Sequence, residues 1–135
     1  MWKNYILDNI DQVSSDILNI NKTNKFAIYG DLGVGKTTLV KNFCKKLEVI
    51  DKVVSPTFTF INEYITKNQN KILHFDFFRM KNENEIYNIG CLDYFYSDHF
   101  CFVEWPERIE KFIPKSFCKI YLKFHGYGRK IKIRI

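Results

Sequence analysis

Alanine is nearly missing from this chain of 135 residues: Ala27 stands alone. Arginine is scarce too, with four residues against seventeen lysines. No long apolar run is present, which excludes a membrane-spanning helix. The first residues, Met1 to Asp11, place Asp8 and Asp11 where a signal peptide needs its apolar stretch, so a cytoplasmic protein is expected. The four cysteines, Cys44, Cys91, Cys101 and Cys118, stand singly with no C-x-x-C pair. That spacing excludes a zinc ribbon and argues against a disulfide framework. The chain has no internal repeat and no low-complexity linker, and its length suits a single domain over 1–135.

What is present is an apolar fraction of 46% and a charged fraction of 27%, the balance of a globular protein. The net charge of +6 is compatible with a nucleic-acid partner. It is equally the mark of an AT-rich genome, which enriches Lys, Asn, Ile, Phe and Tyr at the expense of Ala.

Eight residues organise the rest: Gly30-Asp31-Leu32-Gly33-Val34-Gly35-Lys36-Thr37. They fit G-x-x-x-x-G-K-[ST], the phosphate-binding P-loop. The context fits as well. Lys25 to Tyr29 reads as a buried strand, and Leu39, Val40, Phe43, Cys44 and Leu47 recur at helical spacing toward Glu48. In such a loop, glycines allow backbone N–H groups to turn toward phosphate oxygens, and the helix N-terminus adds partial positive charge. Asp31, Leu32, Gly33, Val34, Gly35, Lys36, Thr37 and Thr38 are therefore expected around the phosphates of ATP. Lys36 would reach the β- and γ-phosphates, and the Thr37 hydroxyl would bind Mg²⁺.

The remaining pattern is α/β. A helix is expected over residues 5–19, from Ile6, Ile10, Val13, Ile17 and Ile20. Asn21 to Asn24 reads as a turn. Phe58–Ile65 and Lys71–Phe77 read as a hairpin, with His74 and Asp76 on one face of its second strand. Glu83–Ile89 looks helical and ends at Gly90, followed by a short turn or helix at Leu92–Phe95. Phe100–Val103 is a compact strand, and Pro106 opens a short helix through Phe112. Phe117–Phe124 and Arg129–Ile135 make a second hairpin across Gly126-Tyr127-Gly128. Its outer face is basic through Lys130, Lys132 and Arg134, which suits either plain solvation or contact with RNA or an acidic partner. The sum is a P-loop NTPase-like mixed sheet flanked by helices.

Hydrolysis needs acids beside the loop. Asp76 and Glu104 each end an apolar run, where a carboxylate can serve Mg²⁺ or the attacking water. Thr57, after Ser55-Pro56, is placed as a switch hydroxyl. Arg129, at the last turn, is a candidate nucleotide contact. Trp105 is read as core or as a lid. A small-molecule kinase is the first alternative, though the arginines of a kinase lid are not evident. No N-K-x-D motif supports a GTPase. A nucleotide-gated binding module remains the non-enzymatic alternative.

The segments Gly30 to Thr38, Ser55-Pro56-Thr57-Phe58-Thr59 and His74-Phe75-Asp76-Phe77-Phe78-Arg79 together resemble one family. So do Glu85 to Gly90, Asp93-Tyr94-Phe95 and Val103-Glu104-Trp105-Pro106-Glu107. It is the bacterial P-loop ATPase family of tRNA threonylcarbamoyladenosine biosynthesis, TsaE or YjeE. The resemblance implies ATP hydrolysis in support of threonylcarbamoyl transfer to the adenosine next to the anticodon. It implies docking onto the tRNA threonylcarbamoyl transferase subunit and its paralogous partner. It further implies that Thr37 and Glu104 hold Mg²⁺, that Asp76 lies by the γ-phosphate, and that Thr57 is a switch residue. The family often has Tyr where this chain has Phe78.

Overall fold

The computed structural model describes residues 1–20, 23–56 and 59–135, the Ile20 side chain excepted. Seven strands form one sheet in the order β1-β7-β6-β2-β5-β4-β3. They are β1 (Lys3–Tyr5), β2 (Lys25–Tyr29), β3 (Ile61–Ile65), β4 (Lys71–Asp76), β5 (Phe100–Glu104), β6 (Cys118–His125) and β7 (Gly128–Arg134). The centre is parallel: β2 lies between β5 and β6, and β4 pairs with β5. The two hairpins, β3–β4 and β6–β7, are antiparallel, as is the pairing of β1 with β7. This is the mixed sheet expected from the sequence.

Period-two alternation divides the core. Phe26, Ile28, Ile72, Phe102, Ile120 and Leu122 face α1 (Ile10–Ile20) and α2 (Lys36–Lys46). Ala27, Leu73, Phe75, Cys101 and Val103 face the other way. There α3 (Ile86–Ile89), α4 (Cys91–Phe95) and the 3₁₀ helix Pro106–Phe112 pack over them. Phe26, Phe43 and Phe102 stack with ring centroids 5.1–5.6 Å apart, which fastens α2 to the sheet. Such pairs add about 1 kcal/mol beyond the area they bury. All four cysteines are buried thiols. Burial pushes Cys44, Cys91 and Cys101 up to about 12.

Helix boundaries follow local chemistry. Gly35, at φ 110°, opens α2, a backbone conformation that suits glycine. The first turn of α2 has no acidic residue, whereas Lys45 and Lys46 lie in its last turn, matching the helix dipole. Gly90, at φ 74°, ends α3 as expected.

Three expectations need correction. The helix predicted over residues 5–19 begins at Ile10. Tyr5 instead belongs to β1, opposite Arg129, and a single 3₁₀ turn, Leu7–Asn9, leads into α1. A strand of three residues carries too short a pattern to compete with helical spacing, and its partner lies at the far end of the chain. The strand predicted from Phe58 begins at Ile61, because Phe60 takes φ 65° and breaks the ladder. The strand predicted over Lys71–Phe77 ends at Asp76. Thr57 and Phe58, and the Asn21-Lys22 part of the predicted turn, lie outside the described residues. Among the described residues, no helix is long and apolar enough to cross a membrane.

Candidate nucleotide site

The P-loop runs from the end of β2 to the start of α2, at the carboxyl edge of the parallel strands. Ligands of open α/β sheets bind at this edge. Gly30 is required by close approach: a Cβ there would sit 2.7 Å from Val34 Cγ1 and 3.0 Å from the Leu122 carbonyl. The loop's members divide by exposure. Asp31 and Leu32 are exposed on its outer rim, Leu32 at 69%. Val34 is buried, with its carbonyl taken by Arg129 Nε at 2.8 Å. The Val34 N–H donates to the Asp31 carbonyl at 3.1 Å.

Register brings the acids together. Glu104 of β5 is paired with both Asp76 of β4 and Ile28 of β2. The Glu104 side chain is nearly fully buried, and its charge is met by donors from two elements. The Thr37 hydroxyl donates to it at 2.8 and 3.0 Å from the first turn of α2. His74 Nε2 lies 2.6 Å from Glu104 Oε2. A carboxylate only accepts, so this ring nitrogen is the donor. The other ring nitrogen, Nδ1, is 3.0 Å from the Tyr64 hydroxyl. That hydroxyl donates to the Val54 carbonyl at 2.7 Å. A continuous polar chain therefore runs from Thr37 to the segment that precedes Ser55 and Pro56.

Asp76 is held separately. Its Oδ1 accepts the Phe78 N–H at 2.9 Å, and its Oδ2 accepts the Ser55 hydroxyl at 2.8 Å. Burial pushes the Asp76 carboxyl above its ordinary value, and those two bonds only partly oppose it. Nearby Glu104 adds to the rise. Lys36 is shifted down by burial, against the pull of Glu107, Glu104 and Asp76. Its Nζ donates to the Gly30 carbonyl and sits 3.4 Å from the centroid of the Trp105 ring. Trp105 reaches that position because its backbone is left-handed, at φ 55° and ψ 48°. For a bulky residue this conformation costs about 1–3 kcal/mol and persists only where the surroundings hold it. Trp105 is expected as core or as a lid, and it serves as both: it packs against the core beside α3 and α4 and covers the lysine.

These groups line a cleft of about 410 Å³ that contains Lys36, Thr37, Asp76, Glu104 and Trp105. A second cavity of about 260 Å³ adjoins it, sharing Gly33, Gly35 and Thr38 and adding Ile6, Tyr127 and Arg129. Arg129 thus lies against the loop, through its bond to the Val34 carbonyl. Ser55, Tyr64 and Ile6 were missed as site residues. The Ser55-Pro56 dipeptide before Thr57 was the available signal for the first. Tyr64 and Ile6 meet the site only through tertiary pairing.

A glycine loop between a buried parallel strand and a helix, with a carboxylate bonded to the loop's threonine, defines a P-loop NTPase-like α/β protein. Comparison with known proteins narrows the class. The model of the family Threonylcarbamoyl adenosine biosynthesis protein TsaE matches residues 7–131. This chain belongs to the TsaE family. The Haemophilus influenzae tRNA threonylcarbamoyladenosine biosynthesis protein TsaE is 30% identical over 119 residues, covering 87% of this chain and 75% of that protein. The Bacillus subtilis protein of the same name is 40% identical over 97 residues, covering 72% and 60%. The crystal structure of Bacillus subtilis YdiB superposes with a TM-score of 0.73 at 26% identity, covering 98% of this chain and 83% of that one.

Proposed function

We propose that this chain binds ATP with Mg²⁺ and hydrolyses it in support of tRNA threonylcarbamoyladenosine formation. In this reading it works with the threonylcarbamoyl transferase subunit and its paralogous partner. The observation that carries the reading is Glu104, a buried carboxylate bonded at once to Thr37 of the loop and to His74. A carboxylate buried beside a phosphate loop is an expensive arrangement unless charge or donors meet it.

The donor set fits Mg²⁺. This ion takes one or two protein oxygens and completes its shell with phosphates and water. Thr37 Oγ1 and Glu104 supply two hard oxygens side by side. When bound, the ion would supply neutralising charge on the phosphates. Thr37 and Glu104 would hold it, with Glu104 acting through its hydration shell.

The protein's own groups then do the rest. N–H groups of Gly33 to Thr38 cradle the phosphates. Lys36 leaves the Gly30 carbonyl and Trp105 to meet the β- and γ-phosphate oxygens. Asp76, fixed by Ser55 and Phe78, accepts a hydrogen bond from the attacking water and aligns it on γ-phosphorus. The water oxygen forms a bond to γ-phosphorus as the bond to the bridging oxygen breaks, ADP leaves with that electron pair, and a proton of the water passes to solvent. Phosphoryl transfer of this kind rests on positioning and charge. The nucleoside would occupy the adjoining cavity, with Arg129 and Tyr127 at its wall.

Phosphate release, measured alone and with the transferase subunits, tests the reading. Lys36→Ala and Glu104→Ala should each lower turnover by about 100–1000-fold, the range for losing one preorganised charged contact. Lys36→Ala should also weaken ATP binding in calorimetry. Turnover equal to the unaltered protein in either variant would refute the assignment.

A further inference from the structure

The net charge of +6 is not spread along the chain. Residues 111–135 hold eight of the twenty-one Lys and Arg and none of the fifteen Asp and Glu. The first 110 residues therefore carry thirteen cations against fifteen acids, a net of −2. A genome-wide drift toward lysine would not confine the excess to one segment.

The fold gathers that segment on one face. In β6 and β7 the register pairs Lys119 with Arg134, Tyr121 with Lys132 and Lys123 with Lys130. Side chains opposite one another share a face. The intervening residues, Ile120, Leu122 and Ile131, are buried on the opposite side under α1 and α2. The 3₁₀ helix Pro106–Phe112 reaches only the near border of the basic face. There Glu110 accepts from Lys119 Nζ at 3.0 Å and from the Tyr29 hydroxyl at 2.9 Å. Among the described residues, no ion pair within 4.0 Å involves Lys123, Lys130, Lys132 or Arg134. Four unneutralised cations held together on a sheet repel one another. An anion laid across them relieves that repulsion.

Aromatic rings lie among these cations. Lys123 Nζ is 4.6 Å from the centroid of the Trp2 ring, and Lys132 Nζ is 5.8 Å from both Trp2 and Tyr121. Tyr121 stacks on Tyr29 with centroids 4.9 Å apart. An acidic protein segment would need the cations alone. Rings set among cations on an open sheet suit unpaired nucleotides, whose bases stack while their phosphates meet lysine.

We propose that the face formed by Trp2, Tyr121, Lys123, Lys130, Lys132 and Arg134 binds single-stranded RNA. The proposal does not depend on ATP hydrolysis, because none of these residues lines the nucleotide cleft.

Fluorescence anisotropy with a fluorescein-labelled single-stranded RNA of about 12 nucleotides, within the usual span of such sites, tests it. An RNA duplex of equal length and poly-glutamate serve as competitors, and full-length protein is used throughout. Unlabelled single strand should compete at least tenfold better than duplex or poly-glutamate. The double variant K123E/K132E should lose at least tenfold in affinity and show a shallower salt dependence, as expected when phosphate contacts are removed. Trp2→Ala should lose about fivefold or more with the salt dependence unchanged, since stacking is lost and charge is kept. Circular dichroism confirms folding of each variant, and ATP turnover should stay unchanged in both. Equal competition by poly-glutamate would assign the face to an acidic protein partner and overturn the proposal. Equal competition by duplex would overturn it too, as would unaltered RNA affinity in both variants.

Discussion

Strands β4 and β5 bury charged groups at their carboxyl ends. His74 and Glu104 are almost completely buried, and each is hydrogen-bonded to residues of other elements. Strands β6 and β7, in the same sheet, put theirs outside. Lys123 and Arg134 are exposed, and among the described residues neither joins an ion pair. The contrast follows from what covers each half. Helices lie on both faces of the β2–β5–β4 region, so a charge there must be bonded or expelled. Among the described residues, no helix covers most of one face of β6–β7, so its lysines stay hydrated at little cost. Buried charges are thus specified by partners, and exposed ones are free to meet a ligand.

Removing a buried partner should have the largest effect. His74→Ala removes the 2.6 Å donor from buried Glu104 and opens a void in the core, while Thr37 stays bonded to Glu104 and Tyr64 to Val54. Breaking a buried pair of this kind costs about 3–5 kcal/mol, and urea denaturation should show a loss of that size. A loss below about 1 kcal/mol, the level of a surface pair, would mean that the chain from Thr37 to Val54 does not hold the core.

Asp76 gives a smaller effect with a definite sign. Its folded-state pKa is raised, chiefly by burial. The unfolded chain therefore releases this proton at lower pH than the folded one. The protonated form stabilises the fold below the ordinary carboxylate value of about 4, and that contribution fades as pH rises through the raised value. Asp76→Asn keeps the shape and removes the charge. Its melting temperature at pH 7 should exceed that of the unaltered protein, while phosphate release falls. An unchanged or lower melting temperature would show that Asp76 sits without strain as an anion.

On the open half, the same type of change should do almost nothing to the fold. Lys132→Ala should alter stability by no more than about 0.5 kcal/mol, the usual bound for a surface substitution away from caps and core. A larger loss in denaturant would mean that its contacts with Trp2 and Tyr121 hold the hairpin.

Legibility in the sequence followed the range of the interactions. The loop, the strand before it and the helix after it were readable, because glycine spacing and apolar period are local signals. The hairpins and the helix after Pro106 were readable for the same reason. β1 was not, since Tyr5 and Ile6 fit a helical spacing and only pairing with Arg129 decides otherwise. The acids Asp76 and Glu104 were found by their place at strand ends. The family resemblance put Thr37 beside Glu104, 67 positions away, but Ser55, which reaches Asp76 across 21 positions, was not found. The left-handed turn at Trp105 left no trace in composition. Val34 shows the opposite case, a motif residue whose side chain the core claims.

The proposed hydrolysis rests on Glu104, which is bonded to Thr37 and His74. Glu104→Gln tests it most directly, because the amide keeps the size and removes the charge. ATP affinity by calorimetry and phosphate release with the transferase subunits should be measured on one preparation. ATP binding should stay within about tenfold of the unaltered protein, and phosphate release should fall at least a hundredfold. Phosphate release at the unaltered rate would contradict it.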